Sequence, residues 1–380
     1  MFKKICVIGD GITAQLLAQM LLNLNLRVDL YSNFDHKFDK YSNRTLAISP
    51  SNVDYLKKIG IFNKNKKAFW NVNSIKLFLS DENKTKKIIE FNKKPIFTMF
   101  KYNDLFFDLK KALTKKFNFK KKKNFNYEKL KNQYSLIINC DHSNYLFKNL
   151  LYKKIKKNYQ SKSLVSIINH LKIKNDTAYQ FFCDEGPMAF LPISNTSTSI
   201  VWSIKKDYFL KEKNLQDLFF KKKVKEKIKN CFKIKSFKEI NSFNLAFEVP
   251  RNYFKKNVLN FGSNLHQIHP LTGQGFNMII RDIKLLEEKI LYFINLGLDL
   301  NTSVLEKFSK ESKSYNFLFA QGIDFTEKYF TIKNKKFNSL SNFLMNKIDE
   351  NKKMKEIFIN LADKGLNLKT IEESLYQNYL

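Results

Sequence analysis

The chain has 380 residues, enough to bury a large core in two or three lobes, and a hydrophobic content of 43% excludes a disordered chain. A formal charge of +33 ordinarily points to nucleic acid or an anionic membrane, yet only four of the 68 basic residues are arginine: Arg27, Arg44, Arg251 and Arg281. Readers of nucleic-acid bases favour the bidentate arginine fork, so the lysine excess reads as compositional bias and no nucleic-acid partner is expected. A moderate attraction to an anionic membrane surface stays open. The four cysteines, Cys6, Cys140, Cys183 and Cys231, form no Cys-x-x-Cys pair and fit a reducing cytoplasm. The N-terminal Met1-Phe2-Lys3-Lys4 superficially resembles the start of a signal peptide, but Asp10 interrupts the apolar run and no clear cleavage site follows. No run of about 18 apolar residues occurs, so no spanning helix is expected.

Taken in chain order, Ile5 to Ile8 reads as a buried strand, Gly9-Asp10-Gly11 as a tight turn, and Ile12 to about Leu24 as a helix. The helix is marked by the spacing of Leu16, Leu17, Met20, Leu21 and Leu24. Arg27 to Tyr31 reads as a second strand, completing the strand-turn-helix-strand unit of a nucleotide-binding sheet. Lys110 to Lys131 is rich in Lys, Phe and Asn and reads as a helix end plus loop; Tyr134 to Cys140 reads as a strand. Five strand-like pieces follow: Ser163 to Ile168, Ala178 to Cys183, Met188 to Pro192, Thr198 to Ile204 and Phe243 to Glu248. A basic helix, about Leu215 to Cys231, interrupts them, and together they predict a mixed sheet. Val258 to Gly262 reads as a strand entering a loop, Gly275 to Phe293 as a long helix, and the chain from Leu305 onward as mostly helical.

Gly9-x-Gly11-x-x-Ala14 sits between a strand and a helix, where glycines allow a tight turn and let backbone amides approach a pyrophosphate at the positive helix end. A plain strand-to-helix turn is the alternative. The acidic residue expected about 20 positions on is missing. Position 32, at the end of the second strand, is Ser32, and neither Asp29 nor Asp35 falls at that place.

Two further segments stand out. The first is Arg44-Thr45-Leu46-Ala47-Ile48-Ser49. The second runs from Phe261-Gly262-Ser263-Asn264 through His269-Pro270-Leu271-Thr272-Gly273-Gln274-Gly275-Phe276-Asn277 to Arg281-Asp282. Three of the chain's ten glycines fall in it, and Gly273 and Gly275 would let the main chain pass a flat ring without a Cβ in the way. A helix starting near Gly275 would aim its amides at developing negative charge. His266 and His269 are three apart, but no carboxylate or cysteine at useful spacing completes a metal site.

On these residues the chain resembles the ubiquinone-biosynthesis branch of the aromatic-ring FAD monooxygenases, the 2-polyprenyl-phenol hydroxylase type. Members of that family carry Arg-Thr-x-Ala-Leu-Ser and, later, Gly-Asp before His-Pro-x-x-Gly-Gln-Gly-x-Asn. The run Tyr159-Gln160-Ser161, Ala178 to Phe182, Gly186 to Pro192 and Val201-Trp202 resembles the family's substrate-domain sheet in order and spacing, and the likeness spans roughly residues 3 to 330.

The resemblance implies an α/β fold: a Rossmann-like FAD-binding domain with an inserted mixed β-sheet substrate domain and C-terminal helices. The implied boundaries are 1–150 for the first part of the FAD domain, 151–250 for the substrate domain, 251–300 for the closing FAD segment and 301–380 for the helical region. FAD would be held by Gly9, Gly11, Ala14, Ser32, Arg44, Asp141, Gly262, Ser263, Gly275, Phe276 and Asn277. The amides of Phe276 and Asn277 would face the flavin pyrimidine carbonyl, and Pro270, Gly273 and Gln274 would shape the catalytic face of the ring. The implied activity is hydroxylation of a polyprenylated phenol through a flavin C4a-hydroperoxide, with O2 and NAD(P)H or an electron-transfer protein as co-substrates. The expected location is cytoplasmic, peripheral on the inner membrane, with a ubiquinone-synthesis complex as a further partner.

The family pattern is broken at Ser32, at Ser263 where an Asp is usual, and at His142 where a Gly follows the Asp matched by Asp141. Tyr145 and Lys148 likewise replace a Ser and an Arg. These departures motivate a second reading, a non-catalytic family member serving as a structural subunit of a ubiquinone-synthesis assembly.

Overall fold

The computed structural model describes residues 4–32, 44–61, 69–80, 85–116, 118–123, 126–141, 154–229, 231, 233–266, 273–331, 347 and 349–365. The first half of the chain forms β1 (Lys4–Ile8), α1 (Ile12–Asn23), β2 (Arg27–Tyr31), β3 (Thr45–Ile48), α2 (Pro50–Lys58), β4 (Phe69–Ser80), β5 (Thr85–Lys101), α3 (Tyr102–Leu113), β6 (Phe119–Lys122), the single turn α4 (Tyr127–Leu130) and β7 (Leu136–Asn139). The second half forms β8 (Lys154–His170), β9 (Thr177–Cys183), β10 (Met188–Ser194), β11 (Ser197–Lys205), α5 (Lys213–Ile228), β12 (Ile234–Phe237), β13 (Asn241–Pro250), β14 (Phe254–Lys255), β15 (Val258–Asn260), α6 (Gly275–Asn295), α7 (Thr302–Thr331) and α8 (Lys352–Lys364).

The first sheet is ordered β14-β15-β7-β1-β2-β6, with β15, β7, β1, β2 and β6 pairing in parallel, as crossover connections require, and β14 adding to β15 antiparallel. Ile5 lies opposite both Val28 of β2 and Leu136 of β7, so β1 is the middle strand and is buried on both faces. α1 buries Leu16, Leu17, Met20 and Leu21 completely, against Phe106 and Leu109 of α3 and Ile280 and Ile283 of α6. Each such side chain stabilises the fold by roughly 1.5–3 kcal/mol.

The second sheet runs β12-β8-β11-β10-β9-β4-β5-β3, with β13 also paired to β8. Its long strands are antiparallel except where β4 meets β9. α5 covers one face by placing Phe220, Val224 and Ile228 on a single stripe against Trp202, Phe190 and Phe181, the i, i+4 spacing of an amphipathic helix. The mixed α/β architecture, a nucleotide-binding sheet beside a large mixed sheet with helices closing the chain, is the fold class that the sequence predicted.

Two segments differ from their sequence reading. Within the expected loop of 110–131, β6 adds a parallel edge strand, Val28 opposite Phe119 and Tyr31 opposite Lys122. Its lysines mask it, but at an edge they can run out to solvent while the backbone pairs. β4 and β5 form a long hairpin-like pair, Phe69 opposite Phe100 and Ser80 opposite Thr85, in a stretch with no sequence assignment. The second sheet therefore takes three strands from the first 150 residues. No described helix is long and apolar enough to cross a membrane.

Candidate functional site

The ends of β1, β2 and β7 converge on the glycine turn. The Gly9 amide donates to the Tyr31 carbonyl at 2.9 Å, and the Cys140 amide donates to the Ile8 carbonyl at 2.8 Å. Gly9 has φ +139, and a Cβ there would come within 3.2 Å of the Cys140 Cβ and 3.4 Å of the Ala14 Cβ, so both its conformation and its neighbours require glycine. Gly11 is the residue before α1; no side chain caps it and no acidic residue lies in the first turn of that helix. The amides of that turn keep their positive end uncovered by side chains of the helix itself. Asp141 lies just beyond β7, its amide donating to Asn139 Oδ1 at 3.2 Å. Burial pushes the Cys140 thiol well above its ordinary range, so it stays protonated beside the turn.

The turn after β15 packs onto the same place. Gly262 has φ +71, and a Cβ would sit 2.8 Å from Thr13 Cγ2 in the first turn of α1. Asn264 Nδ2 donates to the Asn139 carbonyl at 3.1 Å, which ties this turn to β7. Ser263 is exposed between the buried Gly262 and Asn264.

Arg44 reaches this cluster through a residue that motif reading missed. Its guanidinium lies over the Tyr102 ring, 4.9 Å from the centroid, and the Tyr102 amide donates to the Arg44 carbonyl at 3.0 Å. The Tyr102 hydroxyl in turn lies 3.7 Å from where a Cβ of Gly11 would be. Tyr102 carries no motif, and its only sequence signal is its position opening α3.

The start of α6 forms a second seam with β3. Gly273 has φ +63, and a Cβ there would lie 3.5 Å from the Ala47 Cβ. Gln274 precedes α6 and its Oε1 accepts a bond from Arg281 Nη2 at 2.7 Å. The Gln274 side chain does not cap α6, and no acidic residue lies in its first turn. Gly275 and Phe276 are half-buried and Asn277 is buried. Pro270, His269, His142, Tyr145 and Lys148 lie outside the described residues.

α8 closes over this seam. Asp363 Oδ1 accepts the Ser51 amide at 2.9 Å, at the positive end of α2, and the Asp363 carbonyl accepts the Ser49 and Ser51 hydroxyls at 3.1 Å each. Gly365 leaves no room for a Cβ beside Arg281. Burial lowers Arg281 to about 10 and Lys284 to about 8, and Asp363 works against both shifts. Behind α6, the buried Asp282 accepts bonds from His266 at 2.8 Å, Ser312 at 2.6 Å and Asn316 at 3.0 Å.

Two helix starts whose own N-cap side chains make no capping bond, two glycine approaches free of Cβ atoms and a stacked guanidinium suit an anionic dinucleotide with a flat ring. Among the described residues no group of three or more metal-binding side chains occurs.

A family model described as an FAD binding domain matches residues 152–311. The chain is 26% identical over 358 residues to ubiquinone biosynthesis monooxygenase COQ6 of Caenorhabditis elegans, covering 76% of this chain and 77% of that protein. It is 27% identical over 177 residues to the uncharacterized protein slr1300 of Synechocystis, covering 46% of this chain and 42% of that protein, less than half of the relative's length. Among solved structures, p-nitrophenol 4-monooxygenase PnpA from Pseudomonas putida DLL-E4 superposes with a TM-score of 0.74 at 12% identity, over 96% of this chain and 100% of that one, a likeness of fold. The motifs of the glycine turn, the Arg44 strand and the Gly273–Asn277 helix start therefore occur in a chain that carries a match to an FAD binding domain, is similar in sequence to a ubiquinone biosynthesis monooxygenase and shares the fold of a solved monooxygenase structure.

Proposed function

We propose that the chain is an FAD-dependent monooxygenase that hydroxylates the ring of a polyprenylated phenol in ubiquinone biosynthesis. The observation that carries this reading is the convergence of Gly9 and Gly11 of the turn, Arg44 stacked on Tyr102, and the start of α6 at Gly275. FAD, when bound, supplies the activation of O2, and NAD(P)H or an electron-transfer protein supplies the electrons.

The protein's own part is to bind, orient and exclude water. Gly9, Gly11 and Ala14 let the α1 amides approach the pyrophosphate, while Ser32, Asp141, Gly262 and Ser263 border the same end of the sheet. Arg44 offers its guanidinium to phosphate or ribityl oxygens. Gly273, Gln274 and Gly275 would allow close passage of the ring, and the motif, not the described structure, assigns Pro270 to its reactive face. The amides of Phe276 and Asn277 stabilise negative charge on the ring at the positive end of α6.

On this reading residues 1–150 and 251–300 bind FAD, 151–250 shape the phenol pocket and 301–380 close the molecule. The tail of the substrate stays in the membrane, and the lysine-rich surface docks peripherally on anionic lipid. A place in a ubiquinone-synthesis complex is compatible with this. Ser32 and the exposed Ser263 favour the second reading, a non-catalytic structural subunit, because neither supplies a carboxylate.

The test is the visible spectrum of the full chain after FAD is added and the excess removed, followed by flavin reoxidation with and without a prenylated phenol. A stoichiometric two-band flavin spectrum and phenol-accelerated reoxidation are expected. A colourless protein would put the structural subunit first.

A further inference from the structure

The β1–α1 turn carries a carboxylate between its two glycines, Asp10. A dinucleotide-binding sheet ordinarily keeps an acid at the end of its second strand, where it accepts the ribose hydroxyls. Here that place holds Ser32, one residue past β2. The two departures meet in space: Ser32 Oγ donates a hydrogen bond to Asp10 Oδ1. Ser32 is only 4% exposed, and its amide donates to the Lys122 carbonyl at 2.9 Å, so β6 fixes its position.

We propose that Asp10 is the acidic group for the adenosine ribose of the cofactor, with the carboxylate moved from the end of β2 onto the β1–α1 turn and Ser32 as the residue that orients it. This rests on the FAD reading above. A carboxylate has about four acceptor positions, so a bond from Ser32 is compatible with accepting a ribose hydroxyl. The direction of the side chain matters as much as its identity. A carboxylate aimed along α1 would repel a pyrophosphate at the helix start. The Ser32 bond draws it instead toward the end of β2, the ribose side of such a site. On this view Ser32 is one half of an exchanged pair, and its loss of a carboxylate is compensated in space.

The test titrates the full-length apoprotein with FAD and with FMN, which lacks the adenosine ribose, by quenching of flavin fluorescence. Asp10→Asn should weaken FAD by about 10-fold or more, the scale of one hydrogen bond to a charged group, and leave FMN unchanged. Ser32→Ala, which keeps the charge but removes the bond that orients it, should weaken FAD by a smaller factor. The double variant Asp10→Asn/Ser32→Asp, which returns the acid to β2, should regain most of the FAD affinity. FAD affinity unchanged in both single variants would overturn the proposal, as would an equal loss of FAD and FMN. A wild-type chain that binds neither flavin overturns the FAD reading itself, a result separate from the other two.

Discussion

The side chain of Asn277 clamps the backbone of Ser49, its Oδ1 accepting the Ser49 amide at 2.9 Å while its Nδ2 donates to the Ala47 carbonyl at 2.9 Å. Asn52 Nδ2 donates to the same Oδ1 at 3.0 Å. The two segments so joined are those that the sequence marks as motifs, the Arg44–Ser49 strand and the Gly273–Asn277 helix start, 228 residues apart for the Ser49 bond. The clamp makes a single surface of them.

Asn277→Ala should therefore leave a buried amide and a carbonyl without this partner, while Asn52 Nδ2 keeps only its 3.3 Å bond to the backbone carbonyl of residue 277. A loss of about 2–4 kcal/mol is expected, read as a lower Tm by circular dichroism. Because the clamp sets the distance between Arg44 and α6, FAD affinity should fall with it. A variant with normal Tm and normal FAD binding would show that the seam holds without the clamp.

Asp282 organises the opposite side of α6. It is 3% exposed and accepts bonds from His266, Ser312 and Asn316, which belong to the segment after β15 and to α7. Asp282→Ala removes the shared acceptor of three buried donors, of which Asn316 keeps only its 2.9 Å bond to Ser312 Oγ, and a cost of about 3–5 kcal/mol is expected. Asp282→Asn keeps one acceptor and should cost less. Urea unfolding of the pair measures this, and equal stability of the two variants would mean that volume, not the carboxylate, matters at this position.

Much of this site was legible because its chemistry is local in sequence. A strand, two glycines and a helix predict the β1–α1 turn, and the boundaries Arg27–Tyr31 of β2 match the reading residue for residue. The partners that complete it are distant. Tyr102 has no motif around it, and Asp363 reaches Ser51 across 312 residues. β6 was hidden because Phe119–Lys122 is lysine-rich, and an edge strand gains its stability from backbone pairing that leaves no apolar period. Ser32 looked like a simple loss because the sequence does not show that Asp10 bonds to it.

Arg44 separates cofactor binding from folding. Its side chain is exposed and its described contact is the stacking on Tyr102, worth about 0.5–1 kcal/mol at such a site. Arg44→Ala should lower FAD affinity by roughly 10-fold or more and shift Tm of the apoprotein only slightly. Gly275→Val should abolish flavin retention while the chain stays folded. Equal losses of stability and affinity in Arg44→Ala would assign the residue to the fold, and undiminished flavin in Gly275→Val would remove α6 from the cofactor site.

Lys284 gives the seam a pH signature. Burial lowers its ammonium from the ordinary 10.5 to about 8, against the pull of Asp363, and its Nζ donates to the Ser51 carbonyl at 3.0 Å. Between about 8 and 10.5 the unfolded chain holds a proton on this residue that the folded chain has released. The contribution of Lys284 to stability therefore rises with pH across that window. Below it both states are protonated, and the folded state carries the full cost of the buried ammonium. Lys284→Met removes the titration and part of that cost. Its Tm relative to wild type should be highest near neutral pH and decline as the pH is raised toward 10, with the other titrating groups cancelling in the comparison. A Tm difference that stays constant across the window would mean that Lys284 reaches water and that α8 does not seal the seam.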